Sequence, residues 1–218
     1  MLFLGSQGVA AQNGTFDRHG MAPVSPYLMP RAAEIALARS AAPKSISHDA
    51  EILVLTRIGF QTAIKGKNGF VCMVARSWSA GYGDPDFWNP RVRAPICYNA
   101  VAALSQVPET MKRTQVALAG GSESRIREAL KAAIESGGLP VAKAGAMAYM
   151  MSKGTYFNRR TTHWRPHLMF FVPETDPKSW GAGLAQSPVL GVDQPDEHLT
   201  VFLIPLSRWS DGTVSRSL

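Results

Sequence analysis

The chain lacks most of the short motifs that announce a chemistry. No Gly-x-Ser-x-Gly elbow, Ser-x-x-Lys pair, Walker loop, dinucleotide fingerprint, haem attachment motif or Cys-x-x-Cys occurs in its 218 residues. No stretch approaches the 18 or more consecutive apolar residues of a membrane-spanning helix. Helix-turn-helix spacing, zinc-finger spacing and RNP-like aromatic motifs are also absent, which weighs against nucleic acid as a partner. Internal repeats and low-complexity tracts are missing too, so the chain reads as one ordinary domain.

What is present fits that class. Hydrophobic residues make up 45% and charged residues 18%, enough for one sizeable core. The formal charge is +7 and is uneven: residues 57–165 hold sixteen Lys/Arg against six Asp/Glu, whereas 166–218 hold three against six. A basic middle segment suits an anionic partner, yet its cations are scattered and only Arg159-Arg160 forms an adjacent pair near aromatics. A basic solvent-facing surface explains them equally well.

Only two cysteines occur, Cys72 and Cys97. In a reducing compartment they would be buried core thiols; in an exported protein they would be joined. The N-terminal residues Met1 to Gln12 look like the tail of a signal peptide, with Val9-Ala10-Ala11 as a small-residue cleavage site but no charged start. This tilts the reading toward an extracytoplasmic protein, periplasmic or secreted, with a Cys72–Cys97 disulfide.

The hydrophobic pattern predicts an α+β fold, a mainly antiparallel sheet of about six strands with helices packed on it. Residues 1–30, rich in Pro and Gly, form an extended lead-in; 31–213 form the domain; 214–218 are a tail. Pro30 starts an alanine-rich helix that Pro43 stops. Residues 51–76 then read as strand, bend, strand, tight turn and strand. Asn68-Gly69 suits a type I′ hairpin turn, so the run from Phe70 to Ala75 should fold back antiparallel on its predecessor. Helices are expected over 99–104, from Pro108 to Ala119, and behind the N-cap Ser122. Further strands are expected over 144–152, 167–172 and 199–205, with 173–197 as a long loop.

The candidate site centres on His163-Trp164-Arg165-Pro166-His167. Two neutral imidazoles four residues apart can bind zinc or copper, with His48, His198, Glu174 or Asp176 as arithmetically possible third ligands. Without a divalent metal, either imidazole can serve as a general base, because its pKa lies near neutrality. Tyr149 would orient a ligand, and Arg160 or Arg165 would hold an anionic group. Trp78, Asp84 and Asp86 belong to an irregular loop, 77–90, whose aromatics either bind a ligand or plug the core.

The words Asn68-Gly69-Phe70-Val71-Cys72, Ala94-Pro95-Ile96-Cys97, Ala146-Met147-Ala148-Tyr149-Met150, Pro166-His167-Leu168-Met169-Phe170-Phe171 and Trp209-Ser210-Asp211-Gly212-Thr213 resemble those of an uncharacterised family of exported bacterial proteins. The resemblance runs from about Arg31 onward. It implies a shared framework of cysteines and apolar strands, and carries no activity. Two functional expectations follow from the residues: a small hydrolase-like enzyme or ligand-handling domain with a histidine-centred site, binding a small or anionic molecule, or a noncatalytic binding or structural domain with a basic surface.

Overall fold

Apolar, β-branched segments separated by Gly, Pro and Asn build the strands of this protein. The structure is a computed structural model and describes residue 21 and residues 23–158 and 164–215. Eight strands are β1 (Glu51–Thr56), β2 (Gly59–Ile64), β3 (Val71–Ala75), β4 (Ala94–Tyr98), β5 (Met147–Met150), β6 (His167–Pro173), β7 (Leu190–Gln194) and β8 (Leu199–Pro205). They form one sheet in the order β2-β1-β3-β4-β5-β6-β8-β7. Every neighbouring pair is antiparallel except β1 with β3. The α-helices are α1 (Arg31–Arg39), α2 (Lys44–Ser47), α3 (Ala100–Leu118) and α4 (Glu123–Glu135). The expected α+β class and antiparallel sheet with packed helices are both present.

The Asn68-Gly69 turn does something other than close a hairpin. β2 pairs antiparallel with β1, and β3 lies on the opposite side of β1, parallel to it. Residues 65–70 therefore straddle the entrance of β1, spanning two strand spacings, roughly 10 Å. Lys67 N donates to Asp49 O and Glu51 N to Phe70 O, both at 2.8 Å, pinning the crossing to the chain it passes. Gly66 sits at the closest approach, where a Cβ would lie 2.3 Å from Glu51 N. Asn68 still makes a turn: its Oδ1 accepts from Phe70 N while Gly69 takes φ +79°. Turn chemistry is local, whereas the choice of strand partner follows burial, and the buried run Ile52 to Leu55 takes the inner position.

Two further expectations are corrected. Residues 100–118 form one helix through Pro108, instead of two helices. Proline removes the hydrogen bond to the carbonyl of Leu104, on a stretch of helix where Leu104 is 64% exposed. The segment 173–197 carries the edge strand β7, whose Gly191 and Asp193 hide the alternation expected of a strand.

Each face of the sheet has its own core. On one face α1 packs small residues such as Ala38 against Ile52, Val54, Cys72, Val74 and Cys97. Cys72 and Cys97 are direct cross-strand partners on β3 and β4, fully buried and joined as a disulfide. The opposite face is covered by α3, α4 and the segment 76–92. At the far end Trp180 stacks on Phe202 at 4.4 Å, closing the first face over β8.

A fully buried ion pair ties these layers together. Glu34 Oε1, from α1, accepts from Arg76 Nη2 at 2.8 Å and from Leu55 N at 3.0 Å. Neither side chain of the pair has any exposure. Glu34→Gln should cost about 3–5 kcal/mol in denaturant unfolding, because it leaves the guanidinium buried without a counter-charge. A loss under about 1 kcal/mol would show the pair to be dispensable.

Candidate functional site

Strand alternation puts every second side chain of the central strands under the segment 76–92 and α3. Ile96 on β4, Met150 on β5, His167 and Met169 on β6 and Leu203 on β8 share that face and floor a cavity of about 220 Å³. Its other wall comes from Arg76, Ser77, residues 79–81, Asp84 and Asp86, and from Gln106, Glu109 and Arg113 on α3. The walls are mainly apolar.

His167 enters this wall because it pairs across the strands with Met150. Its side chain is buried, 2% exposed, and its ring lies 5.3 Å from that of Trp164. Nδ1 is 2.7 Å from Arg165 O. A carbonyl can only accept, so Nδ1 carries the hydrogen and Nε2 holds the lone pair. Burial lowers the pKa of the ring, partly opposed by the Arg165 carbonyl, and the imidazole is neutral near pH 7. Nε2 has no hydrogen-bond partner. Ser77 Oγ and Ser79 Oγ, on the opposite wall, are also buried and unpartnered. Three of the six orphaned buried side-chain atoms among the described residues thus belong to residues of one cavity.

The polar side is organised by Arg113. Its Nε donates to Glu109 Oε1 at 2.9 Å, Nη1 to Trp78 O at 3.3 Å and Nη2 to Glu197 Oε1. The ring of Tyr82 covers the guanidinium at 4.9 Å, and the Tyr82 hydroxyl donates to Glu197 Oε1 at 3.4 Å. Glu109 and Arg113 meet because they are four residues apart on α3. Glu197 arrives from the turn before β8, where His198 adopts a left-handed φ of +50°. A buried carboxyl, Glu197, and a half-buried one, Glu109, therefore compete for one cation. Burial and the neighbouring Glu109 push Glu197 up to about 7 against the pull of Arg113. Both carboxyls in turn hold Arg113 charged far above any working pH. The proton retained near neutrality belongs to the carboxyl pair.

Comparison with protein-family models, with curated proteins and with solved structures finds no match. The site is read from its own geometry.

Of the residues singled out by sequence, His167, Asp84 and Asp86 are brought to the cavity. Tyr149 is not: it pairs with Leu168 and points to the opposite face, where it packs near Cys72 and lies 6.3 Å from the ring of Phe70. Trp78 is a core plug, fully buried, with Nε1 donating to Thr114 Oγ1 at 3.0 Å and its ring 4.9 Å from that of Tyr27. Arg165 is exposed, and its contribution to the site is its backbone carbonyl. His163 and Arg160 lie outside the described residues. Among the described residues no group of three or more His, Cys, Asp or Glu is placed to hold a metal ion. Glu174 and His198, two of the arithmetical third ligands, sit 3.6 Å apart at the far end of β6, about 20 Å of extended strand from His167.

Sequence reasoning missed Glu109, Arg113, Glu197 and Ser77. Only the Glu109/Arg113 spacing was visible as a signal, and an i,i+4 ion pair on a helix ordinarily marks a solvated face. The burial that changes its meaning comes from the segment 76–92 and from the turn at 195–198.

A carboxyl held protonated in the folded state at a higher pH than in the unfolded chain stabilises the fold at low pH. That stability is present below the ordinary value of 4.5 and is lost as pH rises through about 7. Relative to Glu197→Gln, which keeps a neutral side chain of the same shape, the native protein should lose on the order of 3 kcal/mol at most between pH 5 and pH 8. Denaturant unfolding of both proteins across that range checks it; parallel curves would show Glu197 to titrate normally.

Proposed function

We propose that this chain is a ligand-handling domain that encloses a small, largely apolar molecule beneath His167. The observation that carries the reading is an apolar-walled cavity whose lining includes His167, Ser77 and Ser79, each with a buried polar atom that no protein group satisfies. A buried donor or acceptor without a partner costs about 1–3 kcal/mol, and a site built to bind is where such costs are tolerated, because the ligand completes the hydrogen bonds. The size also fits. An apolar cavity of about 150 Å³ holds a benzene ring, so about 220 Å³ accommodates roughly nine non-hydrogen atoms.

An extracytoplasmic location accompanies this reading, since a disulfide between buried strands persists where thiols are oxidised. The resemblance to an uncharacterised exported family agrees with that location and adds no activity.

The neutral probe 2-phenylethanol should raise the melting temperature saturably, by about 3 to 6 °C at ten times its dissociation constant. Met169→Trp, which fills the cavity from β6, should abolish the shift while leaving the fold intact by circular dichroism. An unchanged shift in that variant would place binding elsewhere and sink the reading.

A hydrolytic version of the same site is the second reading. It is favoured by a neutral imidazole and two unpartnered hydroxyls on one cavity, the components of general-base-assisted hydroxyl attack. In that case p-nitrophenyl acetate should be cleaved above background, and the activity should fall at least 100-fold in His167→Ala while 2-phenylethanol still binds. Cleavage indifferent to His167 would remove it.

A further inference from the structure

The charges around the cavity narrow the class of molecule it takes. Two guanidiniums stand in its wall, Arg76 and Arg113. An arginine in a pocket ordinarily suggests a carboxylate or phosphate ligand, because its fork of donors matches two oxygens. Here the forks are already engaged. Arg76 donates from Nε to Tyr27 O at 2.9 Å, from Nη1 to Val74 O and from Nη2 to Glu34. Arg113 donates from all three nitrogens, to Glu109, Trp78 O and Glu197. Their charges are matched as well: Glu34 balances Arg76, and Glu109 with Glu197 surrounds Arg113.

What the cavity has left to offer is of the opposite kind. His167 Nε2 is an acceptor without a donor, on a ring 2% exposed. Glu109 meets Arg113 through Oε1 alone and shares that cation with Glu197. Asp84 also lines the cavity, and its Oδ1 accepts from the backbone N–H of Asp86, with no guanidinium recorded against it among the described residues. Around these groups lie the rings of Trp164, Phe157, Tyr98 and Phe171. Aromatic faces favour a cation over an anion.

We propose that the ligand of this cavity is a small organic cation with an apolar body, an arylalkylammonium in chemical class, whose ammonium is held by the Glu109 and Asp84 side of the cavity. The proposal rests on the enclosing role given above and refines it. An ammonium brings three donors and a positive charge to the carboxyls of Glu109 and Asp84, while its hydrocarbon part covers the face of Ile96, Met169 and Leu203. A carboxylate of the same size would meet guanidiniums whose nitrogens are already committed, next to carboxylates that repel it.

The test compares three probes of nearly equal size by calorimetric titration on the full chain at pH 7.5: 2-phenylethylamine, charged at that pH, neutral 2-phenylethanol and anionic phenylacetate. The amine is expected to bind about tenfold more tightly than the alcohol, and phenylacetate more weakly than either. In Glu109→Gln and, separately, Asp84→Asn, the preference for amine over alcohol should shrink by at least threefold in one variant or both. Affinity for 2-phenylethanol in each variant reports whether the cavity is intact, so a variant that fails to fold is recognised and the other decides. Equal binding of amine and alcohol to the native protein would overturn the cation assignment and leave the enclosing role standing. Tightest binding of phenylacetate would also overturn it. Binding of none of the three would overturn both.

Discussion

Arg76 is the hinge on which the architecture turns. It stands where β3 ends and the covering segment begins, with its head fully buried and its nitrogens committed to Glu34 on α1, to Tyr27 O and to Val74 O. A guanidinium cannot shed its charge at any working pH, so it demands a carboxylate in the same dry place. Glu34 meets that demand and simultaneously accepts from Leu55 N in β1. One pair of charges therefore fixes the helix on one face, the inner strands, and the direction in which residues 77–92 leave the sheet toward the other face.

That direction creates the cavity. The covering segment is held down by its aromatics: Trp78 against Tyr27 and Thr114, and Phe87 at 4.9 Å from Trp88. Tyr27 adds a hydrogen bond from its hydroxyl to Trp88 O at 2.7 Å. Bulky rings brace the segment at these points, and the cavity lies between it and residues of β4, β5, β6 and β8. A second buried arginine, Arg113, then closes the far side by pairing with Glu109 on its own helix and drawing in Glu197 from the turn before β8. Both arginines thus serve as internal struts, which leaves the cavity walled by apolar side chains and acceptors.

The limits of reading this chain from residues alone are visible in particular elements. The helix behind Ser122, the strands near 147–150, 167–173 and 199–205, and the Cys72–Cys97 pair were legible because periodicity, capping and apolar runs act locally. The Asn68-Gly69 turn was legible as a turn and misleading as a hairpin, because any strand can slip between two others when their connection is long enough to pass its end. Pro108 suggested a boundary, and the helix Ala100–Leu118 runs through it. Tyr149 and His167 looked like neighbours, and they are adjacent across β5 and β6 only through their backbones, with side chains on opposite faces.

From its amino acids alone this protein is an α+β domain with an apolar sheet, two cysteines suited either to buried thiols or to a disulfide, and a histidine at the start of a strand. These are consequences of short-range sterics and hydrophobic patterning, which act within a few residues. Only the tertiary structure decided that His167 lines a cavity with Ser77 and Ser79, that Arg113 is shared by two carboxyls, and that Arg76 faces inward. Each of those depends on burial, which lowers the dielectric and raises the cost of every unmatched charge or unpaired atom. Burial is settled by which distant segments come to lie on one another.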